Sequence, residues 1–200
     1  MSSFYSRDEL ASLGLASYGE DVLISRKASI YKPEKISLGN KVRIEDFCMM
    51  IGPLIIGSFV HIAAGTMLRT SDEYPIIFDD VTGAAPYVHI MTITDDYSGP
   101  FLFGPHFPIQ LRNLKKGIVH VKRFVVIGTQ SVILPKVTLE EGSSVGAMSL
   151  VSRSTKPWTV YFGIPARPIG SRDIGLKEKY EEYVKVQEKN CSKDKSQYQS

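Results

Sequence analysis

The sequence predicts an all-β fold, a parallel β-helix, from three features of its spacing. Apolar side chains recur at every sixth position, a small or β-branched residue stands four positions after most of them, and a glycine directly follows four of them. Helices and ordinary strands repeat with periods of about 3.6 and 2.0 residues and do not produce this pattern. A short strand followed by a tight corner does produce it, and three such units close one triangular coil of about 18 residues.

The six-residue repeat runs through three blocks of the chain, at positions that we call stations. Every station is apolar: Leu38, Ile44, Met50, Ile56, Ile62, Leu68, Phe78, Ala84, Ile90, Val121, Ile127, Ile133, Leu139, Val145 and Val151. The fourth residue after a station is Val, Ser, Thr or Cys in thirteen of fifteen cases, and the exceptions are Leu54 and Asp72. Both positions of each repeat are predicted to point inward. The glycines that follow stations are predicted to supply unusual backbone dihedrals at the corners: Gly39, Gly57, Gly128 and Gly146.

Residues 1–21 are predicted to cap the first coil. Ser6 and Glu9 have the spacing of a capping box, which predicts a short helix here. The start of the chain has no apolar core of signal-peptide length, and no run of about 18 apolar residues occurs, so we expect a cytoplasmic protein without membrane insertion. Cys48 and Cys191 are far apart in the sequence and are expected to be reduced thiols.

The repeat domain, residues 22–169, is interrupted in three places. Pro33-Glu34 shifts the first strands out of register, and extra residues enter around Asp72-Glu73-Tyr74-Pro75. The longest interruption is a projecting loop at residues 95–117, and an unstructured stretch of that length in a compact domain is usually functional. Beyond the repeats, residues 170–200 are predicted to form a charged helix over 176–188 and then a flexible tail.

The late repeats resemble those of the hexapeptide-repeat acyltransferases. The similarity rests on residues 125–138, on residues 141–151 and on the exit motif at residues 162–169, and it covers roughly residues 22–169. The resemblance implies a left-handed parallel β-helix, acetyl-CoA as acyl donor and a homotrimer in which the projecting loop covers the active site of a neighbouring subunit. The most similar branch contains sugar O- and N-acetyltransferases of bacterial surface-polysaccharide pathways, such as O-antigen or capsule biosynthesis.

Three histidines point outward because each precedes a station by one residue: His61, His89 and His120. His89 is the first candidate for a catalytic base, since it lies on the coil that leads into the projecting loop, and His61 is the second. The alternative for each is an imidazole that packs at the surface or at an interface. His106, within the loop, is a candidate for binding the substrate.

The loop departs from the resembled family at one informative place. Many saccharide O-acetyltransferases carry His-Pro-x-His where this chain has Thr94-Asp95-Asp96-Tyr97-Ser98. Asp95 is therefore a candidate carboxylate base, and Asp96 and Tyr97 are candidates for substrate binding, with a solvated turn as the alternative. The missing histidine favours an amine acceptor, because a neutral amine attacks a thioester without prior activation by a base.

The donor side follows from the resemblance. Backbone amides near Gly128, Thr129, Gly146 and Ala147 are expected to bind the pantetheine arm of acetyl-CoA, although the glycines could serve the corners alone. The phosphates are expected to meet Arg153, Lys156 and Arg167, because charge-assisted hydrogen bonds favour cations there. A solvated basic surface is the alternative for this group.

The sequence thus predicts an acetyl-CoA-dependent sugar acyltransferase that needs no metal, with the amine of a nucleotide-linked amino-deoxy sugar favoured over a saccharide hydroxyl. One alternative is a zinc enzyme of the β-helical carbonic anhydrase kind with the three outward histidines as ligands. That family spaces two ligands five residues apart, and His-x4-His does not occur here. A non-catalytic scaffold is a further alternative. The net charge of +3 requires no nucleic-acid partner.

Overall fold

The computed structural model describes the backbone of residues 3–197 and the side chains of residues 3–187. Within them lie two α-helices, α1 (Arg7–Ser12) and α2 (Gly175–Gln197), and 3-10 helices at Pro33–Lys35 and Ile109–Leu111. The strands, in chain order, are β1 (Ser17–Tyr18), β2 (Leu23–Ile24), β3 (Ser29–Tyr31), β4 (Ile36–Leu38), β5 (Arg43–Ile44), β6 (Met49–Ile51), β7 (Leu54–Ile56), β8 (Val60–Ile62), β9 (Met67–Arg69), β10 (Ile76–Phe78), β11 (Thr82–Ala84), β12 (His89–Met91), β13 (Ile93–Asp95), β14 (Leu114–Lys116), β15 (Val119–Val121), β16 (Val126–Ile127), β17 (Val132–Ile133), β18 (Thr138–Leu139), β19 (Ser144–Val145), β20 (Leu150–Val151), β21 (Thr159–Phe162) and β22 (Arg167–Ser171).

Most strands form the three faces of a triangular solenoid of about seven turns. Face one consists of β1, β4, β7, β10, β15 and β18, face two of β2, β5, β8, β11, β16, β19 and β21, and face three of β3, β6, β9, β12, β17 and β20. Each strand pairs in parallel with the strand one coil away, so that Ile56 lies between Leu38 and Phe78. The left-handed parallel β-helix predicted from the sequence is confirmed.

The repeat positions form the core. No station is more than 4% exposed, which confirms the inward orientation of all fifteen. Thirteen of the fourth positions are buried as well, and the two that are not, Asp72 and Thr94, lie where the chain leaves the regular coil. Because a fully buried Val, Leu or Ile stabilises a fold by about 1.5–3 kcal/mol, these stacked columns supply most of the driving force.

The corner glycines have a different role from the one predicted. The residues with positive φ stand two positions after them: Lys41 (54°), Phe59 (58°), Gln130 (58°) and Met148 (56°). The glycines are needed because successive coils approach closely at the corner. A Cβ at Gly39 would lie 2.6 Å from the carbonyl carbon of Gly57, and a Cβ at Gly128 would lie 2.5 Å from the amide nitrogen of Ala147. The prediction that these glycines supply unusual dihedrals was wrong. They are required because a side chain would collide with the next coil.

Both ends of the solenoid carry a helix. The predicted capping box is confirmed, since the backbone N–H of Ser6 donates to Glu9 at 2.7 Å and the backbone N–H of Glu9 donates to the Ser6 hydroxyl at 3.4 Å. Leu10 of α1 is buried against the first coil. At the other end, α2 continues to Gln197, so the tail predicted as flexible from residue 189 is helical that far. Residues 198–200 lie outside the described part of the chain.

The helices and the cysteines can also be compared with the predictions. None of the helices in residues 3–197 combines the length and apolar content needed to cross a bilayer. Cys48 is a free, buried thiol, as its inward position predicts, whereas the side chain of Cys191 lies outside the described set.

The projecting loop is a hairpin rather than an unstructured excursion. Its ends form the antiparallel pair β13–β14, in which Thr94 lies opposite Lys115, so the projection begins at Ile93, two residues earlier than predicted. The hairpin leaves the solenoid after face three and re-enters it at face one. Its outer part exposes many large apolar side chains: Tyr97, Phe101, Leu102, Phe103, Phe107, Ile109 and Leu111.

The close approach at the corners can be tested by substitution. Gly39→Ala is expected to lower the free energy of unfolding by about 1–3 kcal/mol, because the added methyl group overlaps the next coil. Gly170→Ala is the matched control, since a Cβ there meets nothing within 4 Å. Urea unfolding of both variants measures the difference, and equal stabilities would show that corner stacking does not constrain Gly39.

Candidate functional site

A cavity of about 230 Å³ lies at the base of the hairpin, beside the outer surface of face three. We call it the hairpin pocket. Its apolar lining comes from Met91, Ile93 and Leu114, and its polar lining from Arg69, Thr94, Asp95, Tyr97 and Arg112. Two of the residues predicted from the sequence, Asp95 and Tyr97, are therefore brought together here.

Asp95 is held in a fixed orientation. The guanidinium of Arg112 donates to Asp95 Oδ1 from Nε at 3.0 Å and from Nη2 at 2.9 Å, and the backbone N–H of Gly104 donates to Oδ2 at 3.2 Å. The side chains of Asp95 and Arg112 are only 20% and 15% exposed. Since a carboxylate oxygen accepts about two hydrogen bonds, Oδ2 retains capacity for one more donor.

The electrostatic setting of Asp95 decides which chemistry it can perform. Burial opposes ionisation, but the hydrogen bonds from Arg112 and Gly104 and the charges of Arg112 and Arg69 outweigh it, so the pKa of Asp95 is lowered. A carboxylate with a lowered pKa is a weak proton acceptor, because an efficient general base has a pKa near the working pH. This carboxylate is suited to accept a hydrogen bond from a substrate and to orient it.

Asp96 lies away from the hairpin pocket and braces the hairpin instead. Its Oδ1 accepts from the backbone and hydroxyl of Ser98 at 3.0 and 2.6 Å, and Oδ2 accepts from Asn113 at 2.8 Å. The ammonium of Lys115 lies 3.0 Å from Oδ1. The Ser98 hydrogen bonds and Lys115 hold the pKa of Asp96 well below its usual range. These contacts give no support to a direct role of Asp96 in substrate binding.

The other two residues predicted to bind substrate are exposed. Tyr97 is 85% exposed, and its hydroxyl shares a hydrogen bond of 2.7 Å with the hydroxyl of Thr94. His106 lies exposed in the outer part of the hairpin and makes no polar contact with residues 3–187. Of these two residues, only Tyr97 lines the hairpin pocket of its own chain.

The three outward histidines lie on three different faces. His61 on face two contacts Glu45, with Nε2 and Oε1 3.1 Å apart, and His120 on face one contacts Asp79, with Nε2 and Oδ1 2.8 Å apart. His89 lies on face three, on the strand that contributes Met91 to the hairpin pocket. A zinc site made from these three histidines therefore does not form within one chain, and residues 3–187 contain no group of three or more metal-ligating side chains.

The predicted donor-side amides fall into two classes. The N–H groups of Gly128 and Gly146 donate to the carbonyls of Val145 and Tyr161 on the next coil, at 2.7 and 2.8 Å. The N–H groups of Thr129 and Ala147 make no hydrogen bond with the described residues. Of the four predicted positions, these two offer donors to a ligand, and the two glycines allow the coils to stack.

The three predicted phosphate-binding cations follow β20, at the C-terminal end of the solenoid. Arg153, Lys156 and Arg167 are all exposed, and none forms a salt bridge within residues 3–187. Arg167 donates only to the carbonyl of Ala166, at 3.1 Å. Unpaired, exposed cations of this kind are available to an anionic ligand.

Sequence reasoning missed both cations of the hairpin pocket, Arg69 and Arg112. Arg69 follows the station Leu68 and so points outward, a signal that was present in the repeat. Arg112 is seventeen residues from Asp95, and only the pairing of the hairpin brings the two together. No local pattern in the loop indicates that pairing.

No protein-family model matches the chain. The chain is 37% identical over 173 residues to the dTDP-4-amino-4,6-dideoxy-D-glucose acyltransferase of Escherichia coli, covering 85% of this chain and 89% of that protein. Among solved structures, a variant of AntD, an N-acyltransferase from Bacillus cereus, in complex with dTDP-4-amino-4,6-dideoxyglucose and coenzyme A superposes with a TM-score of 0.90. It shares 44% sequence identity and covers 93% of this chain and 99% of that one. AntD in complex with dTDP and 3-hydroxybutyryl-CoA gives a TM-score of 0.91 at 44% identity, over 94% and 100% of the two chains.

The ionised state of Asp95 can be tested through stability. Because its pKa is lower in the folded than in the unfolded chain, its contribution to stability is present at neutral pH and is lost as the pH falls through the folded-state value. Asp95→Asn is therefore expected to lower the free energy of unfolding near neutral pH and to match wild type in acid. Urea unfolding over a pH series measures this.

The control for this series is Glu73→Gln, which removes an exposed carboxylate that has no ion pair within residues 3–187. It is expected to follow wild type at every pH. A loss of stability in Asp95→Asn that does not change with pH would contradict the assigned ion pair.

Proposed function

Because the chain belongs to the acyltransferase family that includes the Escherichia coli dTDP-4-amino-4,6-dideoxy-D-glucose acyltransferase, we propose that it transfers an acyl group from an acyl-CoA to the amine of a dTDP-linked 4-amino-4,6-dideoxy sugar. The observation that carries the proposal is the hairpin pocket. It presents one oriented, ionised carboxylate on a solenoid that superposes on an N-acyltransferase over nearly its whole length.

The pocket suits the sugar part of such an acceptor. Its volume of about 230 Å³ is smaller than the roughly 300–1,000 Å³ of pockets that enclose a whole ligand, so the nucleotide extends beyond it. The apolar side chains of Met91, Ile93 and Leu114 suit the deoxygenated edge of the sugar. Asp95 Oδ2 accepts a hydrogen bond from the amine and directs the nitrogen lone pair away from the carboxylate.

The reaction then needs little help from a base. The neutral amine attacks the thioester carbonyl, a C–N bond forms, and the C–S bond breaks. The departing thiolate of coenzyme A takes up the proton that the nitrogen loses, so the products are the amide and free thiol. His89, on the same face, is the candidate that relays this proton. His61 and His106 act on the pocket only if a neighbouring subunit supplies them.

The acyl donor lies along the late coils in this proposal. The free amides of Thr129 and Ala147 bind the pantetheine arm, and the cations Arg153, Lys156 and Arg167 bind the phosphates. Acetyl-CoA is the proposed donor. AntD binds 3-hydroxybutyryl-CoA, so a longer acyl group is the natural comparison.

We propose further that the enzyme is a cytoplasmic homotrimer of surface-polysaccharide biosynthesis, in O-antigen or capsule pathways. The exposed apolar residues of the hairpin support the assembly, since contiguous exposed apolar surface marks protein–protein contacts. A hairpin that covers the neighbouring subunit would bury them.

The acceptor is tested by free-thiol release from acetyl-CoA and from 3-hydroxybutyryl-CoA. With dTDP-4-amino-4,6-dideoxyglucose the wild-type enzyme is expected to release thiol and to form an amide, which mass spectrometry detects. The dTDP sugar with a hydroxyl in place of the amine is expected to give no release. In the same assay, Asp95→Asn is expected to lower kcat/KM by roughly tenfold or more, because the amine loses its charged acceptor.

Three results bear against the proposal in different ways. Thiol release with the hydroxyl sugar and not with the amino sugar would establish O-acylation, the alternative acceptor chemistry. No release with either sugar would reject the acceptor class. Full activity of Asp95→Asn together with His89→Ala would reject the hairpin pocket as the site.

The assembly is tested by sedimentation velocity. Wild type is expected to sediment as a trimer, and Phe103→Asp is expected to sediment as a smaller species. Phe103 is 71% exposed in the single chain, and the carboxylate introduced in its place would be buried in the assembly. Val186→Asp on α2, 52% exposed, is the matched control and is expected to remain trimeric. A monomeric wild type would reject the assembly.

A further inference from the structure

The hairpin pocket contains two arginines, and only one of them forms a salt bridge with its carboxylate. Arg112 donates twice to Asp95, whereas Arg69 forms no salt bridge within residues 3–187 and its side chain is exposed at the rim. Exposed arginines next to a carboxylate usually pair with it. Here Arg112 donates both hydrogen bonds that Asp95 Oδ1 accepts, and neither a hydrogen bond nor a salt bridge joins Arg69 to Asp95, so the guanidinium of Arg69 is available to a ligand.

Arg69 is carried by the rigid solenoid and not by the hairpin. It is the last residue of β9, and it lies beside Ile51 and Met91 of the neighbouring coils. Its carbonyl accepts a hydrogen bond of 3.0 Å from Thr92. The backbone of Arg69 is therefore fixed on the wall of the pocket, next to the apolar floor that Met91 provides.

We propose that Arg69 binds the diphosphate of the nucleotide-sugar acceptor. The inference rests on the proposed function and names a residue that determines which acceptors bind. The acceptor is bipolar, with a basic amine at one end of the sugar and a diphosphate at the other. The pocket has the complementary arrangement, a carboxylate at Asp95 and an unpaired guanidinium at Arg69.

The chemistry of the side chain fits this role. A guanidinium presents a planar set of N–H donors that binds phosphate oxygens in pairs, and it stays charged at any working pH. The volume of the pocket leaves the diphosphate outside, at the exposed rim where Arg69 lies. Arg112 has a supporting effect, because its two hydrogen bonds already compensate the charge of Asp95.

The proposal predicts a specific pattern of binding constants. Calorimetric titration of the full-length protein with dTDP is expected to show an affinity roughly tenfold to a hundredfold lower in Arg69→Gln than in wild type, the loss typical of one charged hydrogen-bonded contact. The intact dTDP-amino sugar is expected to lose a similar factor. The methyl glycoside of the amino sugar, which has no phosphate, is expected to inhibit turnover equally in both proteins.

Two further variants complete the test. Arg69→Lys keeps the charge and loses the paired donors, so its affinity for dTDP is expected to fall between those of wild type and Arg69→Gln. Arg7→Gln removes an exposed arginine of α1, at the far end of the solenoid, and is expected to bind dTDP as wild type does.

The outcomes separate this inference from the function on which it rests. Wild-type affinity for dTDP in Arg69→Gln, with normal turnover of the amino sugar, overturns the role of Arg69 alone. A weaker effect of the methyl glycoside on Arg69→Gln than on wild type overturns it too, because Arg69 would then contact the sugar. A wild-type protein that neither binds dTDP nor acylates the amino sugar overturns the proposed function and this inference with it.

Discussion

The stacking of one coil directly on the next governs the rest of the structure. Parallel strands lie about 4.8 Å apart, so each inward side chain rests on the side chain one coil away. On face one this gives a continuous apolar column of Leu38, Ile56, Phe78, Val121 and Leu139. The same spacing brings backbones together at some corners and makes glycine necessary at Gly39 and Gly128. It also engages most backbone N–H and C=O groups in ladders between coils, so a ligand finds free groups only where the ladder is interrupted.

This constraint explains why the fold could be predicted and the site only in part. A column that must be filled at every sixth residue requires an apolar residue at each of those positions, which the sequence shows directly. All fifteen stations are buried. The role of Gly39 was misjudged because the need for glycine depends on the neighbouring coil and not on the local chain. Asp95 could be selected from its place in the loop. Its partner Arg112 could not, because the contact depends on the register of a hairpin with no repeat pattern.

Asp95 and Asp96 show how much that register decides. The two are adjacent, and both were predicted to act in the active site, Asp95 as a base and Asp96 in substrate binding. Asp95 is the last residue of β13, and neighbouring residues of an extended chain point to opposite sides. Asp95 therefore lines the hairpin pocket with Arg112, while Asp96 turns toward Asn113 and Lys115 and holds the hairpin together. One of the pair suits a ligand, and the other supports the element that presents it.

The electrostatics of the hairpin pocket bear on the choice between amine and hydroxyl acceptors. A hydroxyl needs a base that removes its proton, and an efficient base has a pKa near the working pH. Arg112 and Gly104 keep the pKa of Asp95 low, and of the three outward histidines only His89 lies on the face of the pocket. An amine brings its own lone pair and needs a partner that orients its N–H groups, which an ionised carboxylate does well. The ion pair that makes Asp95 a poor base is thus the feature that fits it to an amino sugar.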